Sequence, residues 1–222
     1  MLTVKGVLFD LDGTLMDTAP DFYRTLHVLR DRYAQPRLSE SVIRNHVSDG
    51  SRALTQLCHA YEEMSDTVFE SRRLELLDVY ETLAGLEAKV FPEMDQILGE
   101  LDQNNVPWGI VTNKPRLYTE LILERTNLSL NCKVLVCADD LTKAKPDPEG
   151  ILKASRHLGL NPEDVLYVGD HERDVIAGQR AGCPTAVVTF GYFDETVDLV
   201  SWNANLVITS LRGLMDQIHF SK

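Results

Sequence analysis

From Val90 onward the chain repeats one pattern: a helix-length segment, a short apolar run, then a polar loop. The runs are Pro107-Trp108-Gly109-Ile110-Val111, Val134-Leu135-Val136-Cys137, Val165-Leu166-Tyr167-Val168 and Thr185-Ala186-Val187-Val188. The helical segments cover Glu93 to about Asn104, Arg116 to about Thr126, the stretch after Pro148, and Val175 to Ala181. Runs this short and this uniformly apolar are strands buried on both faces, and helical connections between them require parallel pairing. The pattern therefore predicts an α/β fold, a Rossmann-like parallel sheet covered by helices on both sides. Val7-Leu8-Phe9 supplies a further strand near the amino terminus, and Leu206-Val207-Ile208 an edge strand before a terminal helix.

Between the first strand and Val90 the period changes. Phe22, Leu26, Leu29 and Tyr33 recur at helical spacing, with Asp17 or Thr18 available as cap and Pro20 in the first turn, and Pro36 ends the segment. Ser39 to about His46, Ser51 to Tyr61 and Asp66 to about Leu83 carry the same helical spacing. Residues 17–88 thus read as an all-helical domain placed in a core made of residues 1–16 and 89–222.

Composition narrows the partners. The 222 residues are 44% hydrophobic and 25% charged, ordinary for a globular chain, and carry a formal net charge of -12. No basic run exists, which disfavours a nucleic-acid partner. Cys58, Cys132, Cys137 and Cys183 show no metal-binding spacing and read as small buried residues in a reducing compartment, without disulfides. No apolar run approaches membrane-spanning length and no leader pattern precedes the first strand, so a cytoplasmic enzyme is expected, with no membrane partner.

The polar groups that carry chemistry stand where strands end. Val7-Leu8-Phe9 empties into Asp10-Leu11-Asp12-Gly13-Thr14. Two carboxylates one residue apart repel each other unless a cation lies between them or one is protonated, and a hard divalent ion such as Mg²⁺ suits oxygen ligands. Thr112-Asn113 follows the next strand, Lys145-Pro146-Asp147-Pro148 the third, and Gly169-Asp170-His171-Glu172-Arg173-Asp174 the fourth. In an open parallel sheet these loops share one edge. A hydroxyl, an ammonium, main-chain N–H groups and further carboxylates on one rim are what holding a phosphoryl group and a metal requires.

This ordered set resembles the four motifs of the haloacid dehalogenase superfamily, and the helical insert resembles that superfamily's small cap domain. Within it, Pro107 to Pro115, Lys-Pro-Asp-Pro and Phe190-Gly191-Tyr192 resemble the phosphoglycolate phosphatase branch. The Pro107 to Pro115 and Val134 to Cys137 segments also resemble phosphatases of N-acetylmuramic acid 6-phosphate. The resemblance implies a Mg²⁺-dependent phosphatase of a small phosphorylated metabolite, acting as monomer or homodimer, most simply phosphoglycolate phosphatase-like, with a sugar phosphate as the alternative. It also implies roles: Asp10 as nucleophile, Asp12 as general acid and base, and Asp10, Asp170 and the carbonyl of Asp12 as metal ligands. Thr112, Asn113 and Lys145 would receive the phosphoryl group, and Asp174 would stand behind the metal or Lys145.

Asp12 argues against a dehalogenase, whose leaving group needs no proton; a phosphomutase on the same scaffold is excluded less firmly. The segment Ser48-Asp49-Gly50-Ser51-Arg52, between two expected helices, is expected to reach the site, with Arg52 contacting an anionic substrate tail. It departs from the Gly-Asn-Gly type sequence often found there in the resembled family, which weakens phosphoglycolate as the substrate. Trp108 and Trp202 read as packing residues, and His171 and Glu172 as solvated loop residues.

Overall fold

A computed structural model describes residues 1–60, 63–128, 131–194 and 196–220, apart from the side chain of Leu211. Strands β1 (Leu2–Val4), β2 (Gly6–Phe9) and β3 (Met16–Asp17) lead into helices α1 (Ala19–Arg32), α2 (Glu40–Val47), α3 (Gly50–Cys58) and α4 (Asp66–Leu83). Then come β4 (Lys89–Val90), α5 (Met94–Gln103), β5 (Trp108–Val111), α6 (Arg116–Arg125) and β6 (Val134–Val136). The chain continues through α7 (Glu149–Leu158), β7 (Val165–Gly169), α8 (Glu172–Ala181), β8 (Thr185–Val188), β9 (Leu206–Ile208), α9 (Leu211–Met215) and β10 (Ile218–Phe220).

The main sheet has six parallel strands in the order β6-β5-β2-β7-β8-β9, with Val7 in register with Trp108 on one side and Leu166 on the other. Its two faces feed two separate cores, because successive side chains of a strand point to opposite sides. Val7, Phe9, Trp108, Ile110, Leu166 and Val168 pack with Met94, Ile97 and Leu101 of α5. Leu8, Val111, Val165 and Tyr167 pack with Ile151 and Ala154 of α7 and Ala177 and Ala181 of α8. Burial on both faces is why these strands read as unbroken apolar runs.

The four helices of the insert pack on one another, α1 against α2, α3 and α4. Phe22, Leu26 and Leu29 of α1 are buried, as their spacing required. Two details differ from the sequence reading. The insert is flanked by β3 and β4, which pair antiparallel, Met16 opposite Val90 and Asp17 opposite Lys89. Helix α3 ends at Cys58, and Tyr61, read as its continuation, lies outside the described residues. Asp21, in the first turn of α1, accepts hydrogen bonds from the main-chain N–H groups of Gly85 at 2.7 Å and Glu87 at 2.8 Å, tying that turn to the segment leaving α4. β1 and β10 form a parallel pair of their own at the two chain ends.

Candidate active site

β2 is central in the sheet, with β5 and β7 as its neighbours. Asp10 therefore sits between Thr112, which follows β5, and Asp170, which follows β7, while the loop after β6 delivers Lys145. All four side chains are buried. Oδ1 of Asp10 accepts from the Leu11 N–H at 2.8 Å and lies 2.8 Å from Nζ of Lys145. Among the described residues its Oδ2 receives no hydrogen bond.

Lys145 is the hub. Its ammonium is 2.8 Å from Asp10 Oδ1, 2.7 Å from Asp174 Oδ1, 2.8 Å from the Tyr167 hydroxyl and 3.0 Å from the Val111 carbonyl. Burial disfavours that charge, but Asp10 and Asp174 outweigh it and raise the Lys145 pKa above its ordinary value. Asn113 holds the loop in place: its amide donates to the Lys145 carbonyl and accepts from the Lys145 N–H, each at 3.0 Å. Asn113 thus reaches the site through its side chain, by positioning Lys145. Thr112 Oγ1 accepts from the Lys114 N–H at 3.1 Å.

Asp170 accepts the Tyr192 N–H on Oδ2 at 2.8 Å, while its buried Oδ1 has no partner among the described residues. One oxygen each of Asp10, Asp170 and Asp174 lie within 4.8 Å of one another. Burial, reinforced by Asp174 and Asp10, pushes the Asp170 carboxyl well above the usual carboxylate range. Burial likewise raises Asp10, against the opposing pull of Lys145. For Asp174 burial acts upward, but Lys145 and Arg173 hold it below the usual range. An orphaned oxygen and two carboxylates that resist ionisation together are what a divalent cation relieves, so the donor set fits one. Asp174 is the least available of the three, since Oδ1 faces Lys145 and Oδ2 caps α8 by accepting the His171 N–H at 3.0 Å.

Gly13, at φ +81°, is where the loop can only be glycine: a Cβ there would come 2.1 Å from Oδ2 of Asp170. The same turn sets Asp12 facing inward. Its Oδ1 accepts from Nζ of Lys114 at 2.7 Å and from the Thr18 hydroxyl.

The rim opens into a cavity of about 390 Å³ whose lining includes Asp10, Asp12, Thr112, Asn113, Lys114 and Arg173. The insert supplies its other wall, with Phe22, Leu77 and Tyr80 beside Ser48 to Arg52 and Arg73. Phe22 and Tyr80 stack at 4.1 Å, and the buried Tyr80 hydroxyl has no partner among the described residues, nor has the buried Ser48 hydroxyl. The loop is shorter than the sequence reading implied, because Gly50, Ser51 and Arg52 belong to the first turn of α3. Arg52 lines the cavity, yet its side chain is 74% exposed, and its guanidinium stands 3.9 Å from Glu70 and over the Phe69 ring.

Four residues matter here that sequence reasoning gave no role. Lys114 and Arg173 stood inside the quoted motifs. Arg173 donates to the Ser48 carbonyl at 2.7 Å, bridging α8 to the insert. Tyr167 shares Lys145 with the carboxylates. The Tyr192 hydroxyl donates to Asp17 at 2.7 Å and accepts from the N–H groups of Thr18 and Ala19. Trp108 is core, as expected, and Trp202 stacks on His171. The four cysteines are free thiols.

A parallel α/β sheet whose strand ends gather three carboxylates, a buried lysine and a threonine around a cavity defines a hydrolase scaffold built for anionic esters. Likeness to known proteins gives the family. The profile described as haloacid dehalogenase-like hydrolase matches residues 7–188, and the chain belongs to that family, as a phosphomonoester hydrolase. An N-acetylmuramic acid 6-phosphate phosphatase of Pseudomonas putida is 36% identical over 218 residues, covering 97% of each chain. A phosphoglycolate phosphatase of Xanthomonas campestris pv. campestris is 37% identical over 204 residues, covering 92% of this chain and 91% of its own. Among solved structures, a haloacid dehalogenase-like family hydrolase from Streptococcus pneumoniae superposes with a TM-score of 0.81 at 19% identity, covering 96% of this chain and 98% of its own; at that identity the likeness concerns the fold.

Proposed function

We propose that the chain hydrolyses a small phosphorylated metabolite by passing its phosphoryl group through Asp10. The observation that carries this reading is the placement of Asp10. It stands at the end of the central strand, with Oδ1 held by Lys145 and the Leu11 N–H and Oδ2 left to attack. In the first step Asp10 Oδ2 forms a bond to phosphorus as the ester P–O bond breaks, and Asp12 gives its proton to the departing alkoxide. In the second, Asp12 takes a proton from water, the water oxygen bonds to phosphorus, and the bond to Asp10 breaks, releasing inorganic phosphate and restoring both carboxyl groups. Thr112 and Lys145 orient the phosphoryl oxygens, and Asn113 keeps Lys145 in place. A Mg²⁺ ion held by Asp10, Asp170 and the Asp12 carbonyl would supply charge neutralisation for the phosphoryl group. Asp174 orients Lys145.

Residues 17–88 serve in this reading as a cap domain over a core of residues 1–16 and 89–222. The setting is cytoplasmic; among the described residues no helix is long and apolar enough to cross a membrane. Phosphoglycolate is the simplest substrate consistent with the sequence motifs. The cavity favours the second reading, a sugar phosphate: its aromatic wall and the unpartnered Tyr80 and Ser48 hydroxyls offer more contacts than a two-carbon acid uses. The test is phosphate release by the purified protein, with Mg²⁺, from phosphoglycolate, N-acetylmuramic acid 6-phosphate, other sugar phosphates and nucleotides. Release from one class at much the highest kcat/KM names the substrate. Isomerised sugar phosphate without free phosphate would instead mean a phosphomutase.

A further inference from the structure

We infer that Lys114 is the positioning residue for Asp12, setting which of its oxygens exchanges the proton with the leaving group. The inference rests on Asp12 acting as the general acid. Lys114 follows the Thr112-Asn113 pair, and its side chain is almost wholly buried, with 6% exposed. Its ammonium has one carboxylate partner among the described residues, Asp12 Oδ1, at 2.7 Å. Nζ also lies 5.0 Å from the ring centres of both Phe22 and Tyr80. The ammonium lies beside the Phe22–Tyr80 stack, and a buried ammonium with one carboxylate at hydrogen-bond distance is held to it, so it anchors Oδ1. The Thr18 hydroxyl donates to the same oxygen. Oδ2, which receives no hydrogen bond among the described residues, is left as the oxygen free to exchange a proton.

The arrangement also joins the two parts of the chain. Lys114 comes from the loop after β5, whereas Phe22 and Tyr80 belong to α1 and α4 of the insert, so the position of Asp12 depends on packing from the insert. Lys114 lies on the Asp12 side of the rim, while Lys145 is the cation at Asp10. Two buried lysines thus divide the work: one holds the attacking carboxylate, the other the carboxylate that exchanges the proton.

The test uses leaving groups that differ in their need for a proton. p-Nitrophenolate departs without one, whereas phenolate departs more readily with one. In Lys114→Met, kcat/KM should fall for both p-nitrophenyl phosphate and phenyl phosphate, but about tenfold further for phenyl phosphate. Lys114→Arg, which keeps the charge, should hold the ratio within about threefold of the wild-type value. In an Asp12→Asn background, Lys114→Met should change the phenyl phosphate value by less than about twofold, because residues that act as a unit are non-additive. Equal losses on both esters, or additive losses in the double variant, would overturn the inference. If Lys114→Met does not fold, Lys114→Gln replaces it with the same expected change of ratio; failure of both to fold assigns Lys114 to stability alone and also overturns it. Asp12→Asn is the control for the underlying reading. A selective loss there with none in the Lys114 variants refutes the inference alone, whereas an equal loss on both esters in Asp12→Asn refutes Asp12 as the acid.

Discussion

Nζ of Lys145 stands 2.8 Å from Oδ1 of Asp10, with both side chains shut away from solvent. The proposed mechanism makes this pair catalytic, and its geometry makes it structural as well, because the same ammonium balances Asp174 at 2.7 Å. Lys145→Met therefore leaves two buried carboxylates without their cation. Breaking such a pair from one side costs about 3 to 5 kcal/mol. Thermal unfolding should move down by roughly 10 °C for a chain of this size, and turnover should fall alike for alkyl and aryl phosphates. An unchanged melting temperature would show that Asp10 and Asp174 are held by something else.

Tyr80→Phe removes a hydroxyl that has no partner among the described residues, so its loss should leave stability within about 0.5 kcal/mol of wild type. If the cavity wall reads the alcohol part of the substrate, kcat/KM on the best sugar phosphate should drop about tenfold more than on p-nitrophenyl phosphate. Arg52→Ala should show a smaller selective effect, since its charge already faces Glu70 and solvent. The comparison is steady-state kinetics of both variants on both esters; the reverse ranking would restore Arg52 as the principal contact.

Arg52 was poorly legible for a physical reason. The sequence reading groups it with Ser48 to Ser51 as a segment reaching the site, although helical spacing already starts at Ser51; α3 begins at Gly50, and the neighbouring Glu70 and Phe69 arrive from α4, a tertiary contact with no local signature. The strand-end residues were legible for the opposite reason. β2, β5 and β7 are buried on both faces and betray themselves as apolar runs, so Asp10, Thr112 and Asp170, each next after its strand, are located by chain order alone. β1 and β10 escaped notice because Leu2–Val4 and Ile218–Phe220 are three residues long, contain exposed Thr3 and His219, and find each other only across the whole chain. Lys114 was in plain view within a motif, but its aromatic surroundings come from two separate helices.

Arg116 and Asp140 tie α6 to the turn after β6, and Asp140 also accepts the Cys137 N–H at 2.8 Å. Burial acts to raise the Asp140 carboxyl, but Cys137 and Arg116 prevail and hold it below its ordinary value. A depressed folded pKa contributes stability that is present above the unfolded carboxylate pKa and lost as pH falls through the folded one. Asp140→Asn should therefore be less stable than wild type by about 1 kcal/mol at neutral pH. The gap should close on acidification below the usual carboxylate range. Denaturant unfolding at a series of pH values measures it; a gap that widens toward acid would reverse the sign of the linkage.

Asp170, with an unpartnered buried oxygen beside Asp10, is the group a cation should relieve most. Treatment with EDTA should abolish turnover and Mg²⁺ restore it, Ca²⁺ doing so poorly because its looser coordination misplaces the nucleophile. At a hundred times Kd, Mg²⁺ should also stabilise the fold by about 2.7 kcal/mol, an effect absent from Asp170→Asn. Equal Mg²⁺ stabilisation of wild type and variant would place the ion elsewhere.

Asp10→Asn should fold, since Lys145 keeps its contact with Asp174, and should lose essentially all turnover because the amide cannot attack phosphorus. The most direct measurement goes further and looks for the covalent bond itself. The enzyme is mixed with saturating substrate and Mg²⁺, quenched within the first turnover and reduced with borohydride, which converts an acyl phosphate to the alcohol; the peptide containing residue 10 is then sequenced by mass spectrometry. The account predicts homoserine at position 10, dependent on substrate and absent from Asp10→Asn. Phosphate released within the same interval with unmodified aspartate at position 10, or with the reduced residue at Asp12, Asp170 or Asp174 instead, would contradict it.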